Sequence, residues 1–309
     1  DSPGQSVSIR SGLRHSQSTD ISTMQHEPSN SQFDEQPRDS VSKPAAPPTI
    51  GKYHGIRVLG RGSNGVVWKA YDLQLSRVVA LKLLHGSAAC RPETRARFKT
   101  EARAGARLRH PNIVAVYDAD EHEGELYIVQ ELVGDAETLA SWIEAERERG
   151  GDTRTHFRRV ADLVATLGDA LQFAHDAGVV HRDVKPANVL ITSEGQPKLA
   201  DFGIAHLDDG GTVTATGEVR GTPAYMSPEQ IDRTLGPIDA RSDVYSLGAT
   251  LFDALTLTRP FDGGTPLEVM QRVLQVGARD PREVRPSIPR GLAAICLKAM
   301  QSRPQRRYA

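Results

Sequence analysis

The sequence predicts an α+β fold in two parts, a strand-rich first part and a helix-rich second part. Between residues 53 and 84, three short segments rich in β-branched residues are separated by turn residues, which is typical of antiparallel strands. Residues 157–177 instead carry apolar side chains at helical spacing. Gly134 and Asp135 break the pattern between the two parts, so we expect a short linker there.

Length and composition exclude several classes of protein. The chain has 309 residues, with 38 Lys and Arg against 39 Asp and Glu, so net charge gives no reason to expect a nucleic acid or a membrane surface as partner. Its two cysteines form no spaced pattern, which argues against a disulfide framework or a zinc site and fits a reducing compartment. No apolar run approaches the roughly 18 residues of a membrane span. We therefore predict a cytoplasmic domain that makes no membrane contact within this sequence.

Residues 1–50 differ in composition from the rest of the chain. They are rich in Ser, Gln, Pro and Asp, and their isolated hydrophobic residues keep no period. Such a segment buries too little apolar surface to offset its chain entropy. We predict a disordered tail over residues 1–50, with the folded domain starting at Tyr53.

A glycine-rich turn follows the first predicted strand. Gly60, Gly62 and Gly65 would let backbone N–H groups approach phosphate oxygens at points where any Cβ would clash. Because the sequence after Gly65 is typical of a strand rather than a helix, a dinucleotide-binding βαβ unit is disfavoured. A plain hairpin turn remains the alternative interpretation. The predicted strands in this region are residues 53–60, 66–72 and 78–84, and a further strand is predicted at residues 125–133.

Lys82 lies inside the apolar third strand. On an edge strand such a lysine serves solubility, but a buried ammonium needs a partner. The following segment, 92–109, has apolar residues at helical spacing, and Glu101 lies beside that stripe. Glu101 is therefore the natural partner for Lys82. The many basic residues of this helix are interpreted as a solvated face, because no aromatic residues are interleaved with them as in an RNA-binding surface.

The stretch from residue 180 to residue 203 concentrates the polar groups that could perform chemistry. Two short apolar runs flank a polar turn at 193–196, which predicts a small hairpin. That hairpin would place Asp183, Lys185 and Asn188 at one end of a platform, with Asp201 beside them. Oxygen ligands for Mg²⁺, a carboxylate to orient a hydroxyl and a lysine facing a phosphate are what phosphoryl transfer from a nucleotide needs.

Four helices are predicted in the second part. The clearest covers residues 157–177 and ends at Gly178. Another covers residues 242–256, with Ser242 as its predicted N-cap. The other two predicted helices are residues 267–276 and 292–300.

With these residues in view, the chain from Tyr53 onward resembles the protein kinase superfamily, specifically the bacterial serine/threonine kinases of eukaryotic type. Each motif alone could occur by chance, but all of them stand in the family's order and spacing. The matching motifs are, in chain order, Gly60 to Val67, Ala80 with Lys82, Glu101, His181 to Asp183 with Lys185 and Asn188, Asp201 to Gly203, Gly221 to Glu229, and Asp243 to Gly248.

The resemblance implies a two-lobed protein kinase fold over residues 53–309. The N-lobe, about 53–130, would hold the antiparallel sheet and one main helix, and a hinge at 131–134 would lead into a helical C-lobe at 135–309. Arg307 matches the arginine that pairs with Glu229 in the large lobe, and the family's final helix would be truncated at the end of this sequence.

The resemblance also implies a role for each site residue. Lys82, held by Glu101, would contact the α- and β-phosphates of ATP. Asp183 would orient the substrate hydroxyl, while Lys185 would steady the γ-phosphate. The two metal ligands, for Mg²⁺ or Mn²⁺, would be Asn188 and Asp201. The implied ATP-binding set is Gly60, Arg61, Gly62, Ser63, Asn64, Gly65, Val67, Ala80, Lys82, Gln130, Glu131 and Val133.

The segment after Asp201 is expected to carry substrate recognition and regulation. The pattern around Lys185 and Thr222 is similar to serine/threonine rather than tyrosine kinases, with Thr222 packed beneath the substrate. A loop phosphate would add about −1.5 to −2 charge and three acceptors, enough to order the loop through an arginine. Thr214 and Thr216 are the predicted autophosphorylation sites, against the alternative of an ordinary threonine-rich loop.

The implied enzyme is an ATP-dependent, non-specific serine/threonine protein kinase. It would act on Ser and Thr hydroxyls of protein substrates and on itself, through a transient dimer, without a nucleic-acid partner. Two alternatives remain open, a pseudokinase scaffold and a small-molecule phosphotransferase. Retention of Lys82, Asp183 and Asp201 disfavours the first alternative, and the segment 221–229 disfavours the second. Because many relatives carry a membrane anchor after the kinase domain, an anchor beyond residue 309 is expected in the full-length protein.

Overall fold

The computed structural model describes residues 47–62, 65–84, 92–150, 154–202 and 222–309. The predicted tail lies outside these ranges except for its last four residues, and Ser63, Asn64, Thr214 and Thr216 also lie outside them. Thr49 and Ile50, at the end of the predicted tail, form a short strand instead. Ile50 is buried against the sheet. A strand of two residues is too short to show a period in the sequence, so this contact could not be predicted.

The first part of the chain folds as one antiparallel sheet of six strands in the order β1-β2-β3-β4-β6-β5. The strands predicted at residues 53–60, 66–72 and 78–84 lie within it, and each is longer than predicted by one or two residues. The predicted strand 125–133 ends earlier, at Gln130, because Glu131 leaves the sheet and donates its N–H to the carbonyl of Ala115 at 2.8 Å. The strands are β1 (Thr49–Ile50), β2 (Tyr53–Gly62), β3 (Gly65–Asp72), β4 (Arg77–Leu84), β5 (Val116–His122) and β6 (Glu125–Gln130).

One helix, α1 (Pro92–Ala106), packs on this sheet. Phe98 is its main apolar anchor and lies in a buried cluster with Leu84, Leu126 and Ile128. The same helix carries Glu101, whose side chain is partly buried. The helix therefore rests on β4 and β6, which are neighbours in the sheet.

The described residues of the second part are mainly helical and include one small hairpin, β7 (Val189–Ile191) and β8 (Pro197–Leu199). Its large core is built mainly from α3 and α5, and the buried face of α5 also carries polar side chains such as Ser242 and Asp243. None of the described helices is long and apolar enough to cross a lipid bilayer. The described helices are α2 (Leu139–Arg149), α3 (Arg154–Asp176), α4 (Pro228–Ile231), α5 (Ala240–Thr256), α6 (Pro266–Gln275), α7 (Pro281–Val284) and α8 (Arg290–Ala299).

Helix α5 begins two residues earlier than predicted, so the assignment of Ser242 as its N-cap was wrong. Asp239 is the N-cap, since its carboxylate accepts a hydrogen bond from the N–H of Arg241 at 2.8 Å. Ser242 is fully buried and donates its hydroxyl to Glu229 at 2.7 Å. Both residues are good caps by type, and only the tertiary contact to Glu229 distinguishes them.

Candidate active site

Three of the site residues predicted from the sequence, Asp183, Lys185 and Asn188, meet just before the hairpin β7–β8. Lys185 Nζ lies 3.0 and 2.8 Å from the two carboxylate oxygens of Asp183. Asn188, at the end of a short 3₁₀ turn, donates its amide to the carboxylate and to the backbone carbonyl of Asp183, both at 2.9 Å. The Asp183 carboxylate is thus held in one orientation by two neighbouring donors.

A buried aspartate of α5 holds the loop that carries Asp183. Asp243 is fully buried, and its carboxylate accepts the backbone N–H groups of His181 at 2.8 Å and Arg182 at 2.7 Å. His175 adds a third contact, from its Nε2 at 2.7 Å. Arg182 has a φ of 68°, a conformation that a non-glycine residue holds only where its surroundings fix it. The carboxylate of Asp243 supplies that constraint.

His181 connects this loop to the strand that leads to Asp201. Its Nδ1 accepts the N–H of Asp183 at 3.2 Å, so its Nε2 carries the proton and donates to the carbonyl of Ala200 at 2.9 Å. The N–H of Ala200 in turn donates to the carbonyl of Asn188 at 2.9 Å. Asp201 follows with a φ of 65°, a strained position at the centre of the polar cluster.

Lys82 of β4 reaches the same cluster from the other part of the chain. Its side chain is buried, and its Nζ lies 2.7 Å from Oδ2 of Asp201. Burial by itself would raise the pKa of Asp201, but the Lys82 ammonium outweighs it and holds the pKa below its usual range. The short ion pair of Lys82 is thus with Asp201, and the contact implied with Glu101 stays a prediction.

Asn188 and Asp201 fit the role of ligands for Mg²⁺ or Mn²⁺. The amide nitrogen of Asn188 is committed to Asp183, which leaves its oxygen for a cation. Asp201 is held as a carboxylate, and hard cations prefer such oxygen donors. Among the described residues, no group of three or more His, Cys, Asp or Glu side chains could hold a metal alone. A site with two protein ligands is typical of Mg²⁺ that is shared with phosphates.

The glycine-rich turn lies at the end of the hairpin β2–β3. Gly62 pairs with Gly65, and Arg61 pairs with Val66. A Cβ at Gly60 or Gly62 would meet no atom of the other described residues within 4 Å, so the described packing does not require glycine at either position. Open space there fits the expected approach of a phosphate.

Gly65 has a different reason to be glycine. Its φ is 145°, and a Cβ built on it would lie 2.0 Å from the carbonyl oxygen of Leu83 in β4.

The next residues of the predicted ATP-binding set lie on paired strands, since Val67 faces Lys82 and Ala80 faces Gln130 in the ladder. Close approach of β3 to β4 therefore fixes the floor of the proposed nucleotide site.

We expect Gly65→Ala to destabilise the fold, because both its φ and its contact with Leu83 forbid a Cβ. The melting temperature should fall by several degrees, on the order of the shift that 1–3 kcal/mol produces in a domain of this size. Gly60→Ala is the matched control and should melt within about one degree of the wild type. Equal melting temperatures for the two variants would contradict this reading of Gly65.

The residues predicted to contact adenine lie at the end of β6 and in the linker that follows it. Gln130 is buried at the end of the strand, and Val133 is buried with Val114 and Ala200. The carbonyl of Val133 accepts the N–H of Ala136 at 3.0 Å, so it is engaged within the chain. The adenine contact proposed for Val133 therefore rests on its N–H group.

Thr222 and Lys185 both line one groove, which has a volume of about 530 Å³. Its wall includes Tyr225, whose hydroxyl donates to Asp253 at 2.5 Å. Burial raises the pKa of Asp253, although the hydrogen bond from Tyr225 opposes this shift. Thr222, the predicted substrate platform, thus lines a groove together with Lys185. The Tyr225–Asp253 contact was not predicted, because the two residues lie 28 positions apart on separate elements.

Comparison with known proteins agrees with this geometry. The family described as the protein kinase domain matches residues 53–309. The chain belongs to the protein kinase family. Its two-lobed α+β architecture, predicted from the sequence, is confirmed. The kinase domain of PknI from Mycobacterium tuberculosis has a similar fold, with a TM-score of 0.67 at 28% identity, over 86% of this chain and 93% of that one.

Several curated relatives of this kinase domain are bacterial. A probable serine/threonine-protein kinase of Streptomyces coelicolor is 40% identical over 264 residues, which is 84% of this chain and 38% of the relative. The serine/threonine-protein kinase PknB of Mycobacterium tuberculosis is 41% identical over 263 residues, or 83% of this chain and 41% of PknB. PknA of the same species is 40% identical, over 84% of this chain and 58% of PknA. The chain thus spans only part of the length of each of these relatives.

Proposed function

We propose that this kinase domain transfers the γ-phosphate of ATP to serine and threonine hydroxyls of protein substrates. The observation that carries the proposal is the convergence of Lys82, from the sheet, with Asp201 and Asp183, from the helical part. A single polar cluster drawn from both parts of the chain can contact a nucleotide and an acceptor at once. The relatives named as serine/threonine-protein kinases support this choice of reaction.

The chemistry follows from positions and charges rather than from a covalent intermediate. Asp183, oriented by Lys185 and Asn188, would accept a hydrogen bond from the attacking hydroxyl and align it with the phosphorus. Lys185 Nζ, 2.8 Å from Asp183, would sit where negative charge builds on the transferred group. Bound Mg²⁺ or Mn²⁺ would neutralise charge on the phosphates, and Asn188 and Asp201 are the residues that would hold it.

Lys82 would exchange partners when the nucleotide binds. In the structure its ammonium neutralises Asp201. The same ammonium is the group proposed to contact the α- and β-phosphates, so Asp201 would then be free to ligate the metal. The pKa of Asp201 is already low without a ligand, so its side chain is a carboxylate at neutral pH and the proposed metal site carries negative charge.

Autophosphorylation is the finer part of the proposal. Thr214 and Thr216 lie outside the described residues, in the segment that follows Asp201. Arg182, beside Asp183, is the residue proposed to meet a phosphate on that segment. Mass spectrometry of the active protein should find phosphate on Thr214 or Thr216, and phosphate only on Thr212 would contradict this assignment.

The decisive assay uses radiolabelled ATP with Mg²⁺ and compares the wild type with Asp201→Ala. Acceptors are the chain itself, a generic protein substrate and small alcohols. We expect label on proteins for the wild type and almost none for Asp201→Ala, because the variant loses the proposed metal ligand. Asp120→Ala, on the exposed side of β5, is the matched control and should retain activity. Label on small alcohols alone would favour a phosphotransferase, and nucleotide binding without transfer would favour a pseudokinase.

A further inference from the structure

The linker contributes a charged side chain to the hairpin that leads to Asp201. Oε1 of Glu131 lies 2.7 Å from Nζ of Lys198 in β8, and the two side chains are only 27% and 17% exposed. The other oxygen, Oε2, accepts the N–H of Ala115 at 3.3 Å, and the N–H of Glu131 donates to the carbonyl of Ala115 at 2.8 Å. Glu131 therefore joins the linker to β8 and to the segment that precedes β5.

Strand β8 is fixed to that same segment by its backbone. The N–H of Leu199 donates to the carbonyl of Asn112, and the N–H of Val114 donates to the carbonyl of Leu199, both at 2.8 Å. The side chain of Asn112 also donates to the carbonyl of Pro197 at 2.8 Å. Lys198 stands between Pro197 and Leu199, so its backbone position is set on both sides.

Lys198 lies close to both proposed metal ligands, along the chain and across the hairpin. It stands three residues before Asp201 along the chain. Across the hairpin it pairs with Leu190, which follows Asn188 by two residues. A displacement of Lys198 relative to the linker would therefore move the two oxygen donors relative to the proposed adenine contacts.

We infer that the Glu131–Lys198 ion pair is a positioning element that sets the spacing between the adenine end and the metal–phosphate end of the nucleotide site. The inference rests on the proposed function, because it needs a nucleotide that contacts both ends. Neither side-chain charge has to touch the nucleotide. A ligand that spans two subsites gains affinity when their spacing is preorganised, whereas a ligand that fills one subsite does not.

The partial burial of the pair makes such a role physically reasonable. An ion pair on an open surface contributes little to stability, because water screens both charges, and it would hold little in place. This pair is more than two-thirds shielded from solvent, and its carboxylate has a further backbone donor in Ala115. Removing one partner would leave the other charge poorly solvated, so the linker or β8 would shift to re-expose it.

The test compares a ligand that spans the site with one that fills only the adenine end. Isothermal titration calorimetry on the whole chain would measure the dissociation constants of a non-hydrolysable ATP analogue with Mg²⁺ and of adenosine. We expect Lys198→Met to weaken the analogue by about 5- to 20-fold, which lies within the range of coupling between contacting residues, and to change adenosine binding by less than about twofold. Glu131→Gln keeps an acceptor for Ala115 and gives an independent test should Lys198→Met fail to fold.

The double variant and two controls complete the design. Because both substitutions remove one and the same contact, Lys198→Met combined with Glu131→Gln should be no weaker than the weaker single variant. Lys198→Arg, which restores the charge, should recover most of the affinity for the analogue. Lys99→Met removes a lysine paired with Asp120, away from the linker, and should leave both affinities unchanged.

Three results would overturn the inference. Equal weakening of adenosine and analogue binding would indicate a general loss of structure. Additive effects in the double variant would show that the two residues act separately. Unchanged affinities would show that the ion pair does not influence nucleotide binding. Failure of the wild type to bind the analogue at all would instead refute the proposed function, so the two failures are distinguishable.

Discussion

Asp183→Asn is expected to lower turnover by about 10²- to 10⁴-fold, the range that proton-handling groups contribute, while nucleotide affinity stays within about twofold of the wild type. In the structure Asp183 contacts Lys185 and Asn188 through its carboxylate, and both neighbours are donors. An asparagine at this position has only one acceptor oxygen, and the donors Lys185 and Asn188 would occupy it. Its NH₂ group cannot accept a hydrogen bond, so the acceptor that orients the attacking hydroxyl would be lost. Steady-state phosphorylation rates and equilibrium binding of nucleotide to the same preparations measure the two effects separately.

The matched control for this prediction is Asp169→Asn. Asp169 is exposed on α3, so the same chemical change should alter neither turnover nor affinity. Equal losses of turnover and of nucleotide affinity in Asp183→Asn would contradict the orienting role. Such a result would show that Asp183 acts by binding the ground state rather than by aligning the attacking group.

Much of the fold could be predicted because its strongest periodic signals are local. The strand that carries Lys82 is apolar at six of its eight positions, and α3, which is 23 residues long, carries its apolar residues at helical spacing. The ends of elements were less well predicted. Ser242 and Asp239 are both suitable caps by residue type, and only the buried contact of Ser242 with Glu229 determines which of them begins α5.

The membership of the site was predicted from motif order, but its contacts were not. The sequence indicated that Lys82 needs a partner, yet it could not show that Asp201 lies within 2.7 Å of it, 119 positions away along the chain. The Glu131–Lys198 pair has no sequence signal, since both residues are of types that are usually exposed. Such contacts are decided by how the hairpin β7–β8 docks on the segment before β5, which is a tertiary property.

From the sequence, all three glycines of the turn were explained by the approach of a phosphate, but the structure indicates two separate reasons for glycine there. Space around Gly60 and Gly62 fits the expected approach of a ligand. Gly65 is instead required by the backbone of Leu83, whatever binds nearby. Glycine at fixed spacing is therefore a mixed signal, because packing and ligand contact select the same residue type for separate reasons.

Arg307→Met is expected to reduce the free energy of unfolding by about 3–5 kcal/mol, the usual effect of removing one partner of a buried ion pair. Both partners are fully buried, and the guanidinium contacts the carboxylate of Glu229 at 2.6 and 2.8 Å. The same guanidinium donates to the carbonyls of Arg241, Gln301 and Ser302, so several acceptors would also lose their donor. Equilibrium unfolding in urea, followed by circular dichroism, measures the change.

The pH dependence of this loss provides a second, independent check. Burial raises the pKa of Glu229, but hydrogen bonds from Arg307 and Ser242 outweigh it and hold the pKa below its usual value. In the wild type the resulting stability is present above the unfolded pKa of about 4.3 and is lost as pH falls through the lower folded value. Without Arg307 the folded pKa should lie above the unfolded one, so the deficit of the variant should shrink as pH falls from about 7 toward 4.

Arg306→Met is the matched control, since Arg306 is the exposed neighbour of Arg307 and its loss should change stability by less than about 0.5 kcal/mol. Adding Glu229→Met to Arg307→Met removes the stranded carboxylate and should recover part of the loss, because two apolar side chains tolerate burial better than one unpaired charge. A deficit in Arg307→Met that is equal at all pH values, with no recovery in the double variant, would mean that the contacts to the carbonyls rather than the charge of Glu229 hold this end of the lobe together.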